Sequence, residues 1–224
     1  EGLASLCMDL VTEGTEKLAK VAFEEAKADL ASDVGSYASA DQQGVSMSSL
    51  TKNLDATLDL WADSILHPGL RQEDFDRLVK DRLEGLAQTK AAAPSIASRL
   101  ARSIVWGAAH PLGRVVTEQS TQSLTLADCK RYVAASLKPQ DAKLYAVGDL
   151  TRAQLEEKIG KRLAKLVGKQ KQSAKMGVAE PRKGRVFFVD VPGAPQSIVY
   201  FLGTGPARQA KDYFPTTIMA SILG

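Results

Sequence analysis

Two cysteines and two histidines are the side chains best suited to hold a borderline metal or to serve as nucleophile and base. Cys7 and Cys129 share no short metal-type spacing, which argues against a zinc ribbon or a disulfide framework. Two buried free thiols are the simpler expectation, with a single bridge as the alternative. Cys7 beside Met8 resembles a soft-metal pair. Neighbours one residue apart on a helix do not share a face, so Cys7 is expected in the core. His67 and His110, each followed by proline, are too few for a His-rich metal centre. Ser5 has no His near it in sequence, which argues against a nucleophile–base dyad there. Lys161 to Lys183 is strongly basic but carries no interleaved aromatics, so it reads as solvated and not as a nucleic-acid surface. Gly203, Thr204 and Gly205 are too sparse for a phosphate loop.

The chain that must position these groups has 224 residues, 44% of them hydrophobic and 25% charged, with a net charge of +3. That is an ordinary globular mixture, which excludes a disordered tail, a collagen repeat or a rod. No apolar run reaches the roughly 18 residues of a membrane helix. Leu3, Leu6, Cys7, Leu10 and Val11 have helical spacing, and Gly14 reads as the stop. A second helix is expected over 17–30. Residues 34–40 and 45–50 read as two short strands joined by the turn residues Asp41 to Gly44. Leu54, Leu58, Trp61, Ala62 and Ile65 form one wide stripe that makes Trp61 a core residue, and Pro68 ends the helix. Phe75, Leu78, Val79, Leu83 and Leu86 form the next stripe, opened by Glu73 and Asp74. Pro94 opens a third helix, ending near Gly107. Thr125 with Asp128, and Thr151 with Gln154, resemble capping boxes that begin two further helices.

Residues 141–147 read as a buried strand closed by Gly148. After a polar, basic linker, 185–191 and 197–202 read as strands with a turn at Pro192 to Pro195, and a last helix begins near Tyr213. Strand pairs beside runs of helices predict an α+β fold with a largely antiparallel sheet packed against several helices.

Several segments in order are similar to a known family. Gly2-Leu3-Ala4 with Glu13-Gly14-Thr15 resembles the surroundings of the inverted zinc motif of the M16 metallopeptidases, the group of pitrilysin, insulinase and mitochondrial processing peptidase. Asn53 to Leu60 resembles the helix before a break at His67-Pro68-Gly69-Leu70. His110-Pro111-Leu112-Gly113 resembles a loop motif, Leu124 to Asp128 a helix start, and Ala142 to Asp149 a strand ending in Gly-Asp. Gln196 and Ile222-Leu223-Gly224 resemble the start of a following repeat.

The resemblance implies a first α/β unit over 1–168 whose N-terminal strands are missing, a basic linker over 169–183, and the opening of a second similar unit over 184–224. The family's chemistry needs H-x-x-E-H on a helix: two His one turn apart hold Zn²⁺, and the Glu activates its water. Here Ser5 stands for the first His, Met8 for the Glu and Asp9 for the second His. Glu84 lies near the place of the downstream Glu ligand. Asp9 and Glu84 as a residual cation site are weighed against a solvated or capping Asp9 and a helix-surface Glu84, and the latter is expected. His67 and His110 fall at loop positions with a turn role. No catalytic, cofactor-binding or metal-binding residue is therefore assigned to this chain.

By resemblance, the chain is an inactive M16 domain that pairs with a zinc-bearing catalytic half or subunit to enclose a chamber for unfolded peptides. Zinc is expected in that partner. The Arg and Tyr that the family uses to position substrate are expected beyond Gly224. A non-proteolytic scaffold subunit of a larger complex is the alternative. Bacterial members are often exported, so a periplasmic location is expected, with no nucleic acid and no membrane span.

Overall fold

A computed structural model describes residues 1–139, 142–166, 177 and 184–223. The elements run α1 (Leu3–Val11), α2 (Lys20–Asp29), β1 (Asp33–Ala38), β2 (Gln43–Ser48), α3 (Leu54–Leu66), α4 (Gln72–Lys90), α5 (Ala93–Trp106), α6 (Glu118–Gln122), α7 (Leu126–Ser136), α8 (Arg152–Leu163) and α9 (Tyr213–Leu223). The chain forms two compact units. One comprises residues 1–86 and 116–174, the other 87–115 and 175–224. The expected 169–183 linker lies, apart from Gly177, outside the described residues.

The first unit has two apolar clusters. Leu6, Cys7, Met8, Leu10 and Val11 of α1 meet Phe75 of α4 and Cys129 and Val133 of α7. Phe23, Val34, Leu58, Trp61 and Ala62 form the second cluster, with Ile159 and Leu163 of α8 packed on it. β1 and β2 pair as an antiparallel hairpin in the register Val34↔Met47 and Ser36↔Val45. Trp61 closes part of this layer twice: its ring is buried, and its Nε1–H donates to the Val45 carbonyl at 3.0 Å.

Helix ends follow the sequence signals closely. Thr125 and Asp128 make a reciprocal capping box on α7, and Thr151 and Gln154 make one on α8. A third box, Thr117 with Ser120, starts the short α6, which the sequence reading did not anticipate. α8 is also held to α3 by charge. Lys158 pairs with Asp55 at 2.6 Å and Arg162 with Asp59 at 2.6 Å, and Arg162 Nη2 donates to the Asp55 carbonyl. Lys158 and Arg162 hold the Asp55 carboxyl below its usual range, chiefly through the Lys158 hydrogen bond.

Three expected strands require correction. Residues 142–147 form no ladder, and Tyr145 and Val147 are exposed instead of buried; Asp141 lies outside the described residues. Residues 185–191 and 197–202 likewise form no strands, with Phe188 and Phe201 exposed. The sheet among the described residues is thus the two-stranded hairpin alone. A strand is completed by a partner's row of N–H and C=O groups, and alternating apolar residues do not supply one. Residues 144–150 instead border a cavity of about 280 Å³ whose other wall includes Met47, Leu58 and Trp61. The turn at 192–195 is present, with Gly193 at φ 79° and Ala194 N–H donating to the Val191 carbonyl. Among the described residues no helix is long and apolar enough to cross a membrane.

The free-thiol expectation is also corrected. Cys7 of α1 and Cys129 of α7 form a disulfide across 122 residues, with Cα atoms 4.9 Å apart. Both are fully buried, as expected for core residues. Spacing along the chain carries no information about two helices that meet only in the folded core.

A cross-link that closes so long a loop removes much of the unfolded chain's freedom, roughly 4–5 kcal/mol in the chain-entropy treatment. The double variant Cys7→Ala/Cys129→Ala is expected to lose about 2–5 kcal/mol against the oxidised protein, read from the urea midpoint. An unchanged midpoint would mean that the bridge contributes nothing to the fold.

Candidate functional site

α1 is the element that the family resemblance singles out, and its composition explains where it sits. Five of its nine residues are buried, and the only charged side chain is Asp9. A helix apolar on most of its circumference is stable only when surrounded. β1, α4 and α7 surround it, and the Ser36 hydroxyl donates to the Met8 carbonyl at 2.7 Å. Gly14 ends the segment at φ 135°. A Cβ there would lie 2.5 Å from the Leu18 carbonyl oxygen, so the turn requires glycine.

The candidate residues are brought together only in part. Ser5 donates its hydroxyl to the Gly2 carbonyl at 3.2 Å, within its own helix. Met8 is fully buried. Asp9 is partly exposed and faces α4, where Arg82 meets it at 3.2 Å. The same guanidinium donates to the Gly2 carbonyl at 2.8 Å. Arg82 therefore ties both ends of this stretch of α1 to α4. Glu84, two residues on, points elsewhere: it is exposed and lies 3.9 Å from Lys80. The two carboxylates weighed as a residual cation site do not converge.

Neighbouring acids are also matched by cations. Glu13, only 12% exposed, meets Arg77 and, at 3.2 Å, Lys20. Arg77 also reaches the buried Asp74. Among the described residues, no three of His, Cys, Asp and Glu converge closely enough to hold a metal ion. The donor set around Ser5, Met8 and Asp9 does not fit zinc. It offers a thioether buried in the core, a hydroxyl turned to its own backbone and a carboxylate already engaged by a guanidinium, while both thiols are consumed in the bridge.

Arg82 and the Glu13–Arg77 pair were not singled out by the sequence reading. A signal for Arg82 existed: it lies four residues from both Leu78 and Leu86, on the apolar stripe of α4. A charge on such a stripe must find a partner as it packs.

His67 and His110 serve turns. His67 caps α3 at its C-terminus, and its carbonyl accepts from Glu16 N–H at 2.8 Å. His110 stacks on Trp106 with centroids 4.6 Å apart, and its Nδ1 accepts from Leu112 N–H at 3.1 Å. That bond leaves the proton on Nε2, which donates to the Gly177 carbonyl at 2.9 Å.

Burial raises the Asp9 carboxyl above its ordinary range, with Arg82 pulling against it. Burial likewise lowers the Arg82 guanidinium despite Asp9. For both partners, removal from water outweighs their attraction. Because the folded-state pKa of Asp9 is raised, its contribution to stability is complete below the unfolded pKa and declines as pH rises through the folded value. Arg82→Met removes the opposing cation and should deepen that decline. The variant is expected to lose about 1–3 kcal/mol near neutral pH and less near about pH 3, where Asp9 is protonated in both proteins. Adding Asp9→Asn should flatten the pH dependence of the deficit. Equal deficits at both pH values would show that Arg82 acts through the Gly2 carbonyl alone.

Residues 1–114 match the family model described as Insulinase (Peptidase family M16). Residues 123–224 match the one described as Peptidase M16 inactive domain. No curated protein matches the chain. Among solved structures it resembles the peptidase M16 inactive domain from Pseudomonas fluorescens, with TM-score 0.68 and 22% identity over 80% of this chain and 44% of that one. It resembles a protease from Helicobacter pylori with TM-score 0.64 and 18% identity, over 80% of this chain and 44% of that one. It also resembles the periplasmic protease PqqL from Escherichia coli with TM-score 0.66 and 16% identity, over 79% of this chain and 20% of that one. The chain thus spans less than half the length of each of these three structures. Two consecutive family matches over a helix-rich fold with a small antiparallel sheet place this chain in the M16 peptidase family.

Proposed function

We propose that this chain is a non-zinc-binding part of an M16 peptidase assembly. It pairs with a catalytic half or subunit and helps enclose a chamber that degrades unfolded peptides. The observation that carries this reading is the Asp9–Arg82 pair. The place of the second histidine holds a carboxylate with its own internal cation, and Met8 offers no proton acceptor where the general base would stand. The chain then contributes wall and partner surface. Hydrolysis, and the zinc that supports it, belong to the partner. The match of residues 123–224 to the inactive-domain model agrees with this division of labour.

The bridge also bears on the compartment. Disulfides persist where the surroundings are oxidising and are rare in reducing cytosol. A buried Cys7–Cys129 disulfide, together with the likeness to a periplasmic protease, supports a periplasmic location.

The test is co-expression of the full-length protein with an HxxEH-bearing M16 homologue encoded near it. Cleavage of an unfolded, quenched peptide is followed with each protein alone and with both. Activity is expected only in the mixture and should vanish with a chelator. Activity from this protein alone would overturn the assignment of no catalytic residue. No activity in any combination, with the homologue's own zinc content verified, would favour a scaffold role.

A further inference from the structure

The Cys7–Cys129 bridge raises a question of access. Neither cysteine exposes any surface to solvent, and Leu6, Met8, Leu10, Val11 and Val133 belong to the same cluster. Thiol–disulfide exchange requires a third sulfur to reach one of the two in the bridge. With both cysteines at 0% exposure, such a sulfur reaches them only when the core opens. In the unfolded chain the thiols are reachable, but 122 residues separate them. Formation by a donor disulfide and reduction by a thiol both require an outside sulfur to reach one of these two. A core that shuts out reductants also shuts out the oxidant.

We propose that Cys7 and Cys129 are the substrate dithiol of a disulfide donor that acts on the incompletely folded chain, and that docking of α1 on α7 then seals the product. The thiolate of one cysteine attacks the donor's disulfide, forms a mixed disulfide and releases one donor thiolate. The thiolate of the other cysteine attacks the chain's sulfur in that mixed disulfide and expels the second donor thiolate. Two protein thiols are oxidised, one donor disulfide is reduced, and the two protons pass to the donor sulfurs. With only two cysteines in these 224 residues, just one pairing within them is possible, so they need no isomerisation step. The bridge is then a fixed product of maturation and not a switch.

The primary test uses the full-length oxidised protein, treated with dithiothreitol in native buffer or in urea and then alkylated. Peptide masses report the Cys7 and Cys129 sites. Reduction is expected to be slower by more than about tenfold in native buffer, because exchange must wait for the core to open. Equal rates in the two buffers would overturn the proposal, as would alkylation of both cysteines with no reductant added.

A second test refolds Cys129→Ser from urea with either a dithiol oxidoreductase in its disulfide form or oxidised glutathione. A mixed disulfide on Cys7 is expected, and the donor that yields it faster identifies the source. Failure to form an adduct with either donor would overturn the proposal. Neither readout depends on peptidase activity, so both stand apart from the co-expression test.

Discussion

Burial of α1 is the constraint around which the first unit is arranged. A nine-residue helix with Leu6, Cys7, Met8, Leu10 and Val11 buried has almost no side to offer water. It must be enclosed by β1, α4 and α7, and each contact is reinforced by a specific bond. Ser36 satisfies the Met8 carbonyl, Arg82 joins α1 to α4, and the disulfide joins α1 to α7. Burial supplies most of the driving force, since apolar area removed from water stabilises in proportion to its extent. The three bonds determine which neighbour lies against which face.

The same enclosure decides what the region can do chemically. A general base has to be free to take a proton, and a metal ligand has to offer an unengaged lone pair. Around α1 the carboxylates are neither. Asp9 is held by Arg82, Glu13 by Arg77 and Lys20, and Asp74 by Arg77. Each acid is balanced by a cation of the chain itself, which limits the cost of bringing charge against an apolar core. A region organised this way is suited to hold its shape.

The helices were legible because their signals are local. Apolar spacing of three and four residues located α1, α3 and α4, and the Thr–Asp and Thr–Gln boxes located the starts of α7 and α8 to the residue. The β1–β2 hairpin was legible for the same reason, since its turn is short. The other strands were not. Apolar residues at 142–147, 185–191 and 197–202 describe a capacity to pair, and pairing depends on which edge the fold presents. The disulfide and the Arg82 contact are properties of distance in space. Cys7 and Cys129 are 122 residues apart in sequence, and Arg82 is 73 residues from Asp9. Degeneracy of the motif at Ser5, Met8 and Asp9 was readable residue by residue, but not what replaced it.

Arg82 also bears on how such a chain changes over generations. If Ser5, Met8 and Asp9 descend from His, Glu and His, restoring those three would not by itself restore a metal centre. A divalent cation would arrive beside a partly buried guanidinium whose attraction to Asp9 would have been removed with the carboxylate. The fixed positive charge would repel the metal, and any imidazole placed there would titrate at lower pH. Until Arg82 changes as well, each reverting step meets an unfavourable field. On that descent the ion pair would work as a ratchet, since the guanidinium opposes the metal until Arg82 itself is replaced.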